Sequence, residues 1–519
     1  MAKERQFGAQ SRRKKVLRGD QISKRRMFLE SLEDRRLMTV NPDVNGWYYP
    51  PIGKFTADNT VSIGPAEYAR RSALQYGTGT PGNTRSGGEN GSPFNASEVE
   101  PNGVPRQAQL IPLGTLPSNF SIANISGLLS TVVSTNTYDE DYYAVDLRAG
   151  DIIEAALSGS GFGVYDVSLT DSTGSELIGS RSNTSAPFPI TSPLYNVPGS
   201  VTFAQVIPAT GRYYVRVADG AGAYALKLRA FRNTIESEPV GTKQIIFLDF
   251  NGQTFNAGVF GVPITVRIPS LMDTVEQYGF LRTDENAIID GIIAGIKENY
   301  QGTLPGSGTN GYFSADGRPG SFDIEFQNSR DHADPWANKN VSRVIIGGGF
   351  NEFPIPVRGI AQSIDVGNFN RTETAVVLPE AFFLPGDDVR TIPRTATKSV
   401  LDVFAKAISA TISHEMGHYL GAFHHENSNT VLSLMDSGGL PLATTRVGVG
   451  VDGIFGTPDD IDIDFVKDRY AIIEGFTGRT DHAIDMAYAL GTGMVGSTIN
   501  GVVYNDRNRN GRQDSGDEG

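Results

Sequence analysis

The sequence predicts a multidomain chain: an antiparallel β-sandwich, followed by an α/β (α+β) unit with a mixed sheet and one long helix. Three observations predict it. Between residues 98 and 231, short apolar–polar alternations recur between Gly, Asp and Ser turns, which is the texture of antiparallel strands. Between residues 243 and 493, strand-like apolar runs alternate with two segments of helical periodicity, the order of a layered α/β structure. Finally, four of the six histidines, His414, His418, His424 and His425, crowd around the end of the second helical segment.

The first 39 residues carry twelve Lys/Arg against five Asp/Glu, a net +7, which leaves −20 for the remainder of a chain whose total is −13. A basic head on an acidic body argues against nucleic-acid binding by the folded part. No apolar run reaches the ~18–20 residues of a membrane span, and no apolar core of a signal peptide follows the basic residues. Cysteine is absent, which removes disulfides, thiolate catalysis and zinc–thiolate sites together. Residues 40–97, with "YGTGTPGNTRSGGENGSPFNAS", show no periodicity and read as a disordered linker.

In the sandwich region "DYYAVDLRAGDIIEAALSG", "YDVSLTDSTGSELIG" and "GRYYVRVADGAGAYALKLRAF" supply the strands. Asp139 and Asp141 stand at a strand entrance and are expected to be solvated, with calcium binding as the alternative. In the third region "KQIIFLDFNG", "FDIEFQN", "VSRVIIGGG" and "ETAVVLPEAFF" read as strands. "DENAIIDGIIAGIKENYQ" has an acidic first turn and isoleucines at 288, 289, 292, 293 and 296, an amphipathic helix over 284–301. "KSVLDVFAKAISATISHEMGHYLG" predicts a second helix from Ser399 to Tyr419, stopped at Gly421.

His414 and His418 lie four residues apart on that helix, so both project from one face and can meet one Zn2+ at ~2.0–2.1 Å. Glu415 sits on the flank of that face, where its carboxylate can reach a water without occupying the metal; two ligands and a general base on one turn are the logic of HExxH. A catalytic zinc takes three protein ligands, and a straight helix would carry His424 away. Gly421 stands where a left-handed residue turns the chain back. His332 and His482 read as surface histidines without a role.

The stretch His414–His424 matches HExxHxxGxxH and resembles the metzincin zinc peptidases. The resemblance implies Met435, in "SLMDSGG", as the methionine of a turn beneath the metal. It also implies a peptide substrate lying along an edge strand, for which "GIAQSIDVG" (359–367) is the candidate rim. Ser437 replaces the tyrosine some metzincins use as a further ligand, and His425 occupies a position that varies among them. The mechanism implied is peptide-bond hydrolysis by a zinc-activated water, with Glu415 as general base. "EPN" at 100–102, "DEDYYAVDLRAGD" at 139–151 and "GRYYVRV" at 211–217 resemble the bacterial pre-peptidase C-terminal domain, here placed before the histidine cluster rather than after it. "MFLESLEDRRLMT", with Leu29-Glu30, Arg35-Arg36 and Leu37-Met38, resembles the LEPR-XLL segment of large exported bacterial proteins.

Two acidic stretches complete the reading. Gly450–Asp468 packs six aspartates into nineteen residues and reads as a solvated turn. In residues 498–519, Asp506, Asn508, Asn510, Arg512 (through its carbonyl), Asp514 and Asp517 fall at the ligand offsets of an EF-hand-type loop, with Gly511 at the sharp turn. This segment resembles dockerin loops and the calcium-binding B-type repeats of bacterial adhesins. One loop cannot bury a core, so the pattern is expected to belong to a longer repeat. The function expected is an exported zinc metalloendopeptidase with a protein or peptide substrate, secreted or at the cell surface, with Ca2+ as a structural ion. The alternatives are a surface adhesion or scaffold protein with an inactive peptidase-like unit, and a zinc amidohydrolase acting on a non-peptide amide.

Overall fold

The computed structural model describes residues 93–490 apart from 114–119, 133–136, 160–161, 181–200, 233–242, 302–323, 337, 339 and 438–440. The basic head, most of the linker and the loop Asp506–Asp517 therefore lie outside the described residues.

Among the described residues eleven strands build the first unit: β1 (Phe94–Ser97), β2 (Gln109–Ile111), β3 (Phe120–Leu129), β4 (Thr131–Val132), β5 (Thr137–Tyr138), β6 (Asp141–Leu147), β7 (Asp151–Gly159), β8 (Phe162–Thr170), β9 (Glu176–Ser180), β10 (Val201–Val206) and β11 (Gly211–Arg232). The 22-residue β11 organises them. Its first half pairs with β6 and β8, and its second half with β3 and β7. The change of partner occurs at a bulge between Ala218 and Gly220, where Asp219 takes φ +57°. A bulge bends a strand and increases its twist, so one strand serves two layers. Phe94–Ser97 pairs in parallel with β3, so the part of 40–97 nearest the sandwich is a strand, not linker; its short, exposed residues carry no alternation that would reveal it.

The third region contains β12 (Gln244–Asp249), β13 (Gln253–Asn256), β14 (Thr265–Ile268), β15 (Ile324–Asn328), β16 (Val341–Ile346), β17 (Gly359–Ala361), β18 (Thr374–Val377), β19 (Phe383–Leu384), β20 (Asp387–Asp388), β21 (Lys467–Arg469) and β22 (Phe476–Asp481). Its helices are α1 (Leu271–Val275), α2 (Glu285–Gln301), α3 (Val400–Tyr419) and α4 (His482–Leu490). The central sheet has the order β15-β12-β16-β18-β17, parallel except for β17, which runs antiparallel to β18 at the edge. Both faces are covered, as the near-continuous apolar runs require. Ile246, Leu248, Val344, Ile346, Ala375 and Val377 join the core that contains α2 and α3. Phe247, Val341, Ile345, Val376 and Ile360 join a second core on the opposite face.

α3 begins at a capping box: Ser399 Oγ accepts from Asp402 N–H and Asp402 accepts from Ser399 N–H, which satisfies two donors the helix cannot pair itself. From Val403 to Tyr419 it is buried all round except at Lys406, whose ammonium reaches Asp462 at 3.2 Å. α2 comes close because it presents glycine there: a Cβ on Gly291 would lie 2.8 Å from Ala405 Cβ.

The two units share a core. β22 pairs antiparallel with β9, extending a sandwich sheet, and Ile364, Val366, Phe369, Phe423, Tyr470 and Phe476 are buried among sandwich residues.

Candidate metal centre

α3 delivers His414 and His418 one turn apart and ends just beyond them. Gly421 N–H donates to His418 O and Ala422 N–H to Gly417 O. Gly421 has φ +93°, and a Cβ there would lie 2.7 Å from Val366 Cα, so both the backbone conformation and the close approach require glycine. The reversed chain returns His424 to the other two. The three rings lie 4.8–5.0 Å apart between centroids, and their ligand atoms all fall within 4.8 Å of one another.

Hydrogen bonds set which nitrogen of each ring faces the centre. His414 Nδ1 is 2.6 Å from Leu434 O and His418 Nδ1 is 2.7 Å from Ala422 O. A carbonyl only accepts, so each Nδ1 carries the proton and each Nε2 the lone pair. His424 Nδ1 bonds the Glu474 carboxylate. His414 Nε2 and His424 Nε2 stand 3.1 Å apart, and neutral rings protonated at Nδ1 have no proton to place between them. A cation relieves that arrangement. His418 Nε2 is buried and has no hydrogen-bond partner. Three neutral imidazoles are a zinc-type donor set; the residues present fit that ion.

The surroundings of two of the rings disfavour their charged form. Burial, followed by the charge of Arg446, holds His414 well below the ordinary histidine pKa; burial, followed by His424, does the same for His418. The three histidines and Glu415 are at most 1% exposed. Glu415 packs against β17, where a Cβ on Gly359 would collide with its carboxylate. Met435 lies against α3 between the turns of His414 and His418, since a Cβ on Gly417 would come 2.6 Å from its Sδ, and its carbonyl accepts from His425 N–H. Ser437 is bonded to Asn427 rather than directed to the histidines.

Several expectations need correction. His482 is fully buried, not a surface histidine. It stacks on His425 at 4.4 Å and 14° with Nδ1 3.0 Å from Asp485, because α4 folds back on the sandwich. His332 is exposed as expected. Asp141 is fully buried rather than solvated, accepting from Tyr224 Oη, while Asp139 instead accepts from Ser130. The acidic group that forms is Glu98, Glu100 and Asp141, with ligand oxygens within 4.8 Å; Asp141 Oδ1 has no hydrogen-bond partner. The turn Gly450–Asp468 is solvated only in part. Asp464 and Asp468 are buried, and Asp464 approaches Glu298 and Asp462. Of the candidate rim 359–367, Gly359–Ala361 is the edge strand, but Ile364 and Val366 are embedded in the sandwich core.

Sequence reasoning missed Glu474 and Arg446, and it placed Gly359 in the candidate rim without linking it to Glu415. Glu474 lies fifty residues from the histidine it bonds, and nothing in the local pattern marks it. The closeness of Gly359 to Glu415 depends on how β17 packs against α3, which no local pattern carries. Arg446 is buried and donates to Asp436 O at 2.9 Å, a contact that exists only in the folded chain.

No family model matches the chain, and no curated protein does. Among solved structures, the pre-peptidase C-terminal domain of collagenase from Bacillus anthracis is 14% identical, covering 27% of this chain and 99% of that one at TM-score 0.16. The Aeromonas hydrophila periplasmic inhibitor of g-type lysozyme is 14% identical, covering 24% and 96% at TM-score 0.15. The Salmonella Typhimurium inhibitor of the same kind is 16% identical, covering 24% and 98% at TM-score 0.16.

Proposed function

We propose that the protein is an exported zinc-dependent endopeptidase of metzincin type acting on protein or peptide substrates. The observation that carries this reading is the convergence of three Nε2 lone pairs, each aimed by a bond at Nδ1, beside a carboxylate that is not itself a ligand. Zn2+, when bound, lowers the pKa of a water towards ~7 and polarises a carbonyl. Glu415 takes a proton from the attacking water and returns it to the leaving amine. Gly359 leaves room for that carboxylate, and the edge strand β17 is suited to pair with an extended substrate. Among the described residues no helix is long and apolar enough to cross a membrane. Incubation with a denatured protein, with and without a chelator, tests the reading. Glu415→Ala should retain zinc yet lose most hydrolysis; undiminished turnover would remove the base assignment.

The complete burial of all four residues favours a second reading, a surface scaffold protein whose zinc is structural. Zinc retention with no hydrolysis of any denatured protein or peptide would decide for it.

We also assign Ca2+ to the group Glu98, Glu100 and Asp141. Burial, then the neighbouring Glu98, Asp139 and Glu100 charges, raise Asp141 to about 7 from 3.8. A raised carboxylate pKa favours the protonated fold, so without calcium its contribution to stability falls as pH rises from about 4 to about 7 and then levels. Added Ca2+ should raise the melting temperature chiefly above that range, and Asp141→Asn should remove the effect. An equal Ca2+ response in the variant would sink the assignment.

A further inference from the structure

The three histidines are oriented by two different kinds of partner. His414 and His418 use neutral carbonyls, Leu434 O and Ala422 O, both near α3 in sequence or space. His424 uses a full carboxylate, Glu474, with both side chains at most 1% exposed. That carboxylate reaches the site from the sandwich side. Glu474 closes a short turn, Ile472–Glu474, capped by Gly475 at φ +85°. The next residue, Phe476, begins the strand that pairs with Ser180, Gly179 and Ile178 of β9.

The backbone of His424 is held from the same side. Its carbonyl accepts from Ala471 N–H at 3.0 Å, and Tyr470 Oη, one residue earlier, donates to Gln205 of β10 at 2.7 Å. Phe423, immediately before the ligand, is buried in the sandwich core, 4.9 Å from Phe476 between ring centroids. These anchors of the third ligand, unlike the turn at Gly421, run through residues packed on the sandwich.

We propose that the sandwich is a working part of the metal centre, and that Glu474 is its positioning residue. It orients His424 and supplies the buried negative charge that strengthens the ligand. This rests on the zinc reading above. A carboxylate on the outer nitrogen of a metal-binding histidine fixes its tautomer and raises its basicity; losing such a partner typically costs ~10–100-fold in metal affinity. In a dry site the same charge offsets part of a dication's charge, which neutral carbonyls cannot do. Zinc binding then tightens the β9–β22 seam, because the ion, His424, Glu474 and β22 form one mechanical series.

The test measures zinc affinity, not catalysis, in the full chain by competition with a chromogenic chelator. Glu474→Ala should weaken zinc by ~10–100-fold. Glu474→Gln, whose amide oxygen still accepts the bond but carries no charge, should fall between the two. Co2+ substituted for zinc should show visible bands displaced in the Ala variant and partly restored in the Gln variant. Zinc should slow amide exchange across Glu176–Ser180 in the wild type, and less so in Glu474→Ala. Wild-type zinc affinity in Glu474→Ala would overturn this proposal and leave the zinc reading standing. A wild-type protein that takes up no zinc would overturn both.

Discussion

His414 and His418 stand on a helix buried in the α/β core, whereas His424 hangs from a segment packed into the sandwich core. The first two are related by helical geometry alone: residues four apart share a face whatever surrounds the helix. The third is related to them by a left-handed glycine, a close approach to Val366, an aromatic anchor and a pairing between strands nearly three hundred residues apart in sequence. One half of the centre is thus a local object and the other half a consequence of how two folds meet. The lesson is that metal affinity here should report on the docking of the two units as well as on the ligands.

The largest effect should come from attacking the two halves with equal truncations. Phe423→Ala and Phe404→Ala each empty a fully buried ring site and should cost ~3–5 kcal/mol. If the cores form one cooperative unit, each variant should lower a single melting transition. Two transitions, of which each variant moves one, would break the claim that the units are joined. Only Phe423→Ala should also weaken zinc beyond what its stability loss explains.

A smaller effect is expected where the halves are hinged. Gly421→Ala places a side chain at φ +93° and against the Val366 backbone, a strain of ~1–3 kcal/mol. Calorimetry should find that loss, together with a lower affinity for zinc. A variant with unchanged affinity would mean that His424 is placed without the turn.

The mildest change touches only the helical half. Gly359→Ala meets the buried Glu415 side chain, from Cγ to the carboxylate, rather than backbone, so Glu415 must shift while the fold holds. Hydrolysis should drop by about tenfold, equivalent to ~1.4 kcal/mol in the barrier, with zinc content unaltered. Full activity would separate the edge strand from the placement of the base.

Much of the local half could be read from residue order. Ser399 and Asp402 mark the start of α3, the isoleucines of 288–296 mark α2, and Gly421 marks the reversal. The spacing of His414, Glu415 and His418 is a helical period, and periods are visible in a string. His482 looked ordinary because burial of an isolated histidine leaves no pattern. Glu474 was invisible for a different reason: its partner is set by β22 joining β9, and pairing between distant strands has no local signature.

By itself the sequence determined which side chains could bind a metal, which helix would carry two of them, and where that helix had to stop. These follow from φ/ψ preferences, helical pitch and side-chain chemistry, all short-ranged. Only the tertiary structure decided that a carboxylate from the sandwich side orients the third histidine, that Asp141 is buried among other acids, and that two apparent domains share a core. Those depend on which apolar surfaces find one another, and burial is a property of the whole packed chain.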